Sequence, residues 1–175
     1  INADDPDSYL QNSSSWVTRE KAFAPSFFAH NFISDLDDIP ELDYTLIQLT
    51  DYQHSPTIKA YTEIEDKTNY LTYMTSRGCP FLCTFCSAHT VHGRKMRYFS
   101  LDRIEKELTF LKKKYFAKTL VLEDDHFLND NNRAMDILKI ARKLGLTCVF
   151  PNALALYGLN KELSLIHISE PTRRS

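Results

Sequence analysis

Three cysteines lie close together in this sequence, and their type and spacing are those of a metal site. Cys79, Cys83 and Cys86 form a C-x3-C-x2-C pattern within the run Gly-Cys-Pro-Phe-Leu-Cys-Thr-Phe-Cys. Deprotonated sulfur is the ligand that iron–sulfur clusters require, and three thiolates on one loop can reach three corners of a cubane. The fourth iron would keep an open coordination site for an external molecule. We therefore expect one [4Fe–4S] cluster at this loop.

Two other kinds of metal site are compatible with the same cysteines. A tetrahedral zinc ion could take its fourth ligand from His89 or His92, which follow the loop closely. A ferredoxin-type cluster would need a fourth cysteine, and Cys148 is far along the chain in an apolar run. We expect Cys148 to be a buried structural thiol.

The segment around the cysteines is predicted to begin with a strand and continue into a helix. Residues 70–75 form a β-prone run that ends directly before the loop. Apolar residues then recur at helical spacing from Leu101 to Tyr115, with Ser100 placed to cap the start. Gly78 permits a tight exit from the strand. The pattern thus places the cysteine loop between a strand and a helix.

The pattern continues through a second strand, a second helix and a third strand. Residues 119–123 form a continuous apolar run typical of a buried parallel strand. Asn129 or Asp130 can cap the next helix, Gly145 can end it, and residues 147–150 are again β-prone. This β-α-β-α-β order favours an α/β fold with parallel strands and helical crossovers.

An acidic cluster follows the second predicted strand directly. Glu123, Asp124 and Asp125 stand where ligands gather in parallel α/β folds, at the carboxyl end of a strand. Three acids beside a buried strand are costly without a cationic partner. We expect one of them to meet a cationic ligand, although capping of the next loop is the alternative.

The cysteine loop, with Phe85 directly before the last cysteine, resembles the cluster loop of the radical S-adenosylmethionine (SAM) superfamily. The resemblance implies that SAM chelates the open iron and that an electron from the cluster cleaves SAM to a 5′-deoxyadenosyl radical, which abstracts hydrogen from a substrate. It also implies an electron donor such as flavodoxin or ferredoxin.

The same resemblance implies roles for individual side chains. Phe85 would pack beside the adenine of SAM, and Glu123, Asp124 or Asp125 would pair with the SAM ammonium. Many members carry Gly-Gly-Glu where this chain has Glu-Asp-Asp. Apart from the resemblance, the positive charge of Arg97 leads us to expect a contact with an anionic group of SAM or substrate, although a solvated position at a helix exit is the alternative.

Further segments resemble radical SAM enzymes that carry an N-terminal cobalamin-binding domain. They include Gly93-Arg94-Lys95-Met96-Arg97, the Glu-Asp-Asp-x-Phe run, and Leu36-Asp37-Asp38-Ile39-Pro40, which is similar to the interdomain linker. Relatives often have Pro-Asn-Gly where this chain has Pro151-Asn152-Ala153. The resemblance implies cobalamin-dependent methylation or a related reaction on a small molecule that the sequence does not identify. A radical SAM methylthiotransferase and a non-catalytic zinc or iron–sulfur module are the alternatives.

The predicted organisation is that of a fragment. We expect residues 1–62 to be an irregular linker after a missing cobalamin-binding domain, and residues 63–162 to be the N-terminal half of a partial (βα)6 TIM barrel. The chain lacks an initiator Met, and the run Leu-Ser-Leu-Ile-His-Ile-Ser-Glu-Pro-Thr-Arg within residues 163–175 resembles a translated sequencing adapter. A short amphipathic strand is the alternative for this tail. We expect the fragment itself to be inactive.

Composition predicts a cytoplasmic protein. The net charge is −2, with 21 basic and 23 acidic residues, so no nucleic-acid partner is indicated. The sequence contains no apolar stretch of membrane-spanning length and no signal pattern at its beginning. Cysteines grouped on one loop suit a metal better than a disulfide framework.

Overall fold

The computed structural model describes residues 5–13, 18–23, 32–46, 48, 70–152 and 154–161. The strands among them are β1 (Tyr70–Tyr73), β2 (Ser76–Arg77), β3 (Arg97–Tyr98), β4 (Thr119–Leu122) and β5 (Thr147–Val149). The α-helices are α1 (Pro6–Asn12), α2 (Arg19–Ala22), α3 (Ala88–His92), α4 (Leu101–Tyr115) and α5 (Asn131–Lys143).

A three-stranded parallel sheet organises the part that follows residue 70. Its order is β1-β4-β5, and β4 pairs in parallel with both neighbours. Leu120 of β4 lies opposite Leu71 on one side and Cys148 on the other. In the chain, α4 lies between β1 and β4, and α5 lies between β4 and β5. The predicted parallel sheet with helical crossovers is therefore confirmed.

The two long helices begin and end where the sequence predicts. The hydroxyl of Ser100 accepts a hydrogen bond from the backbone N–H of Arg103, and the Asp130 carboxylate accepts one from that of Arg133. Gly145, with φ +63°, follows α5 in the left-handed conformation that ends many helices. Of the two predicted caps for α5, the structure thus uses Asp130.

Both long helices pack on one apolar core with the sheet. Buried core residues of α4 are Ile104, Leu108 and Leu111; those of α5 are Ala134, Ile137, Leu138 and Ala141; those of the sheet include Leu71, Leu120 and Leu122. All four residues of β4 are buried, which explains its continuous apolar sequence. The core therefore holds the central strand, and its carboxyl end, in a fixed position.

The acidic segment at residues 33–46 is part of this core. Leu36 is only 1% exposed and packs in the main cluster. The Arg103 guanidinium donates hydrogen bonds to the carbonyl oxygens of Leu36, Asp37 and Ile39, at 3.2, 3.1 and 2.6 Å. The segment that resembles an interdomain linker thus packs against α4 and supplies a core residue.

Residues before this segment differ from the irregular linker that the sequence predicts. Asp5 caps α1 by accepting a hydrogen bond from the N–H of Ser8, and Pro6 occupies the first turn. Thr18 caps α2 in the same way. Neither helix buries a residue, so neither produces the apolar periodicity on which the prediction depended.

Several predictions fall outside the described residues. The adapter-like tail at 163–175, Glu162 and the predicted start of the core at 63–69 are among them. No helix in the described part of the chain is long and apolar enough to cross a membrane.

Candidate functional site

The cysteine loop connects β2 to α3 and is closed at its base. The backbone N–H of Cys79 donates to the carbonyl of Gly93, at 3.1 Å, and β2 pairs antiparallel with β3 beyond it. Gly78 has φ +105°, and a Cβ added there would collide with the Lys95 carbonyl. Glycine is therefore required at this position both for its conformation and for the close approach of two backbones.

All three loop cysteines are free thiols that solvent can reach. Cys83 is exposed, and Cys79 and Cys86 are partly buried. The N–H of Ala88 donates to the sulfur of Cys86 at 3.5 Å, and that of Cys86 donates to the Cys83 carbonyl at 3.2 Å. Three free thiols on one short loop fit an iron–sulfur cluster in ligand type and number.

The fit to an iron–sulfur cluster concerns the type and number of the sulfur ligands. Among the described residues, no three His, Cys, Asp or Glu side chains are assembled into a metal-binding group. Phe85 is 92% exposed, so its ring is accessible to a ligand. Ligation by the three cysteines and the adenine contact of Phe85 both remain predictions.

The three acids after β4 have three different environments, and Asp124 is the most enclosed. It is 3% exposed, and its carboxylate accepts hydrogen bonds from the N–H and hydroxyl of Thr75 and from the hydroxyl of Ser76, at 2.7, 2.6 and 2.6 Å. Burial raises the pKa of Asp124 above its usual value, although these hydrogen bonds and the nearby charge of Arg133 oppose the shift. Asp124 thus connects the end of β4 to the chain entering the cysteine loop.

Asp125 is paired with a histidine. Its Oδ2 lies 2.6 Å from Nδ1 of His92, and Nε2 of the same ring lies 3.1 Å from the Arg77 guanidinium. Both ring nitrogens of His92 are therefore occupied. That leaves His89 as the better placed of the two histidines for a zinc ion.

Glu123 is the most available of the three carboxylates. It makes no ion pair with a described residue. Burial raises the pKa of Glu123, and the side chain of Asn152 opposes that shift. The Asn152 amide also donates to the Glu123 carbonyl at 3.0 Å. A partly buried carboxylate of this kind is stabilised when a cation approaches it.

Arg97 lies at the base of the cysteine loop. It is 8% exposed and donates to the carbonyls of Ile33 and His92, at 2.6 and 2.5 Å, while its guanidinium lies over the Phe32 ring. The structure therefore gives Arg97 an anchoring position, in contrast to the solvated alternative. Its contact with SAM or substrate stays a prediction.

An aromatic group beside the loop was not predicted from the sequence. His126 is 7% exposed, its Nε2 lies 2.9 Å from the Tyr157 hydroxyl, and the Phe81 ring meets it edge-on at 5.0 Å. Burial lowers the pKa of His126. The one available signal was its place beside the acids in the Glu-Asp-Asp-x-Phe run.

Comparison with known proteins finds methyltransferases. The chain is 33% identical over 114 residues, 65% of its length, to an uncharacterised methyltransferase of Pyrococcus horikoshii. It is 32% identical over 89 residues, 51% of its length, to cytidylyl-2-hydroxyethylphosphonate methyltransferase of Streptomyces wedmorensis. Over 37 residues, 21% of its length, it is 51% identical to hopanoid C-3 methylase of Methylococcus capsulatus. No protein-family model matches the chain.

The matches cover a minor part of each relative. The aligned segment is 22% of the Pyrococcus protein, 17% of the Streptomyces protein and 7% of the Methylococcus protein. The chain thus spans about a fifth of the first of these relatives and less of the others. The similarity supports an enzyme related to methyltransferases.

Proposed function

We propose that this chain belongs to a radical SAM methyltransferase in which Cys79, Cys83 and Cys86 hold one [4Fe–4S] cluster. The observation that carries the proposal is the set of three free thiols on one closed loop beside a parallel sheet. When bound, such a cluster supplies the electron for reductive cleavage of SAM. Similarity to methyltransferases supports methyl transfer as the reaction class.

The chain's own residues would hold SAM in place beside the loop. Glu123 is proposed as the carboxylate that meets the SAM ammonium, because Asp124 is enclosed by three hydrogen bonds and Asp125 pairs with His92, whereas the Glu123 side chain meets only a neutral amide among the groups described above. A neighbouring positive charge would favour the ionised form of Glu123, which burial disfavours. Phe85 is free to cover the adenine, since its side chain has no buried contacts to give up.

The barrel and the cobalamin domain are also proposals. Consecutive parallel strands in the order β1-β4-β5, with α4 and α5 as crossovers, are compatible with the first part of a (βα)6 barrel. The packing of residues 33–46 on α4 would give an upstream cobalamin-binding domain a fixed attachment. The full enzyme would then methylate a small molecule and take electrons from a donor such as flavodoxin or ferredoxin.

Metal analysis after anaerobic reconstitution tests the cluster. The chain is incubated with iron and sulfide, desalted, and assayed for iron, sulfide and zinc. We expect about four irons and four sulfides per chain, as in a cubane cluster. Serine variants of Cys79, Cys83 and Cys86 should each lose most of this iron, whereas Cys148→Ser should retain it. Zinc in place of iron, or iron uptake indifferent to the three loop substitutions, would contradict the proposal.

A further inference from the structure

Three side chains form a connected line across the base of the cysteine loop. Arg77 is the last residue of β2, His92 is the last residue of α3, and Asp125 follows β4 after two other acids. The guanidinium of Arg77 lies 3.1 Å from Nε2 of His92, and Nδ1 of His92 lies 2.6 Å from Oδ2 of Asp125. We call these residues the Arg77–His92–Asp125 bridge.

The tautomer of the His92 ring follows from its two hydrogen-bond partners. A guanidinium can only donate, so Nε2 of His92 must accept the hydrogen bond from Arg77. The ring proton is then on Nδ1, which donates to the Asp125 carboxylate. The side chains of His92 and Asp125 are only 17% and 14% exposed. A hydrogen bond to an ionised acceptor is worth more in such a sheltered position than at the surface.

The bridge joins the two ends of the loop that carries the cysteines. Arg77 lies two residues before Cys79, and His92 lies six residues after Cys86. The backbone bond from Cys79 to Gly93 closes the same base, and Arg97 adds a bond to the His92 carbonyl. Asp125 then fixes this closed base to the end of β4, a strand held by the core.

We propose that His92, held by Asp125, is a positioning residue that keeps the cysteine loop in one arrangement before any metal binds. The inference rests on the proposed function only where it takes the loop's ligand to be an iron–sulfur cluster. The side chains act through the loop backbone and need not touch the metal. A loop whose two ends are fixed loses less conformational freedom when its thiolates bind a cluster, so the bridge should also favour cluster retention.

The first test uses thiol alkylation of the metal-free chain, which does not depend on cluster formation. Peptide mass spectrometry gives a separate rate for each cysteine. In Asp125→Ala and His92→Ala, the alkylation rates of Cys79 and Cys86 should rise about threefold or more. Each variant loses the charge-assisted hydrogen bond between His92 and Asp125. Cys148 lies in β5 and is the internal control for the fold; its rate should stay unchanged.

Two further variants separate positioning from general damage. His92→Asn keeps a donor toward Asp125 and should stay closer to wild type than His92→Ala. In the double variant Asp125→Ala/His92→Ala, alkylation of Cys79 and Cys86 should be little faster than in either single variant, because both substitutions remove the same contact. Asp136→Ala breaks an exposed ion pair with Lys139 and should leave the loop rates unchanged.

The second readout is the iron retained per chain after reconstitution and desalting. We expect Asp125→Ala and His92→Ala to lose cluster faster than wild type and His92→Asn to lose it more slowly than His92→Ala. Unchanged alkylation of Cys79 and Cys86 in both alanine variants would overturn the inference. If alkylation rises as expected while wild type binds no iron, the bridge stands and the proposed function fails.

Discussion

Asp124 connects the carboxyl end of β4 to the chain that enters the cysteine loop, and Asp124→Ala should destabilise the protein by about 2 kcal/mol. The substitution removes the acceptor for three hydrogen bonds, at 2.7, 2.6 and 2.6 Å. The hydroxyls of Thr75 and Ser76 can rotate toward other acceptors, but the Thr75 N–H cannot. A buried N–H without a partner costs roughly 1–3 kcal/mol. Relief of the desolvated Asp124 charge offsets part of the loss from the remaining bonds.

Urea unfolding followed by circular dichroism measures this difference. Asp136→Ala is the matched control, because it makes the same chemical change at an exposed ion pair with Lys139. Such pairs contribute about 0–1 kcal/mol, and alanine suits the helical position of Asp136. If Asp124→Ala costs no more than Asp136→Ala, the hydrogen bonds of Asp124 do not stabilise the fold and the reasoning is refuted.

The pH dependence of the same position has a defined sign. Burial raises the pKa of Asp124 in the folded state, so the folded chain takes up this proton more readily than the unfolded chain. The stability contribution from this group is fully present below the unfolded pKa and is lost as pH rises through the folded pKa. Wild type should therefore gain stability relative to Asp124→Asn as pH falls from neutral. If wild type instead loses stability relative to Asp124→Asn as pH falls, the hydrogen bonds lower the folded-state pKa of Asp124 by more than burial raises it.

Three other predictions concern the surroundings of the site. Leu36→Ala should cost about 2–5 kcal/mol in urea unfolding because the side chain is fully buried, whereas Leu42→Ala, at a 71% exposed position, should be close to neutral. Arg103→Met should increase proteolytic cleavage within residues 33–46, because Arg103 no longer holds their carbonyl oxygens. Lys106→Met breaks an exposed ion pair and should not increase this cleavage, so equal cleavage of both variants would contradict the prediction. Burial raises the pKa of Cys148 to about 12, so its thiol should resist alkylation at pH 8 in the folded chain and react after urea is added; rapid labelling of the folded chain would contradict that burial.

The parallel sheet and its helices were predictable because their signals are local. Apolar spacing identified α4 and α5, and Ser100 and Asp130 lie at their starts as caps. The two short helices before residue 23 were missed because they bury no side chain. The core position of Leu36 was missed because the core in which it packs is made of residues 71–146, far along the chain.

The candidate site was predictable in part for the same reason. The spacing of the cysteines is visible in the sequence, and the acids stand directly after a recognisable strand. The different environments of the acids depend on residues far away along the chain. Asp124 meets Thr75 from 49 positions earlier, and Asp125 meets His92 from 33 positions earlier. Sequence alone gives no local signal for such pairs.

The measurement that tests the central claim most directly is electron paramagnetic resonance of the reconstituted, reduced chain with and without SAM. The account predicts a reduced [4Fe–4S] signal whose shape changes when SAM is added, because SAM would bind the iron that the three cysteines leave open. A colourless zinc protein, or a cluster whose signal is the same with and without SAM, would contradict it.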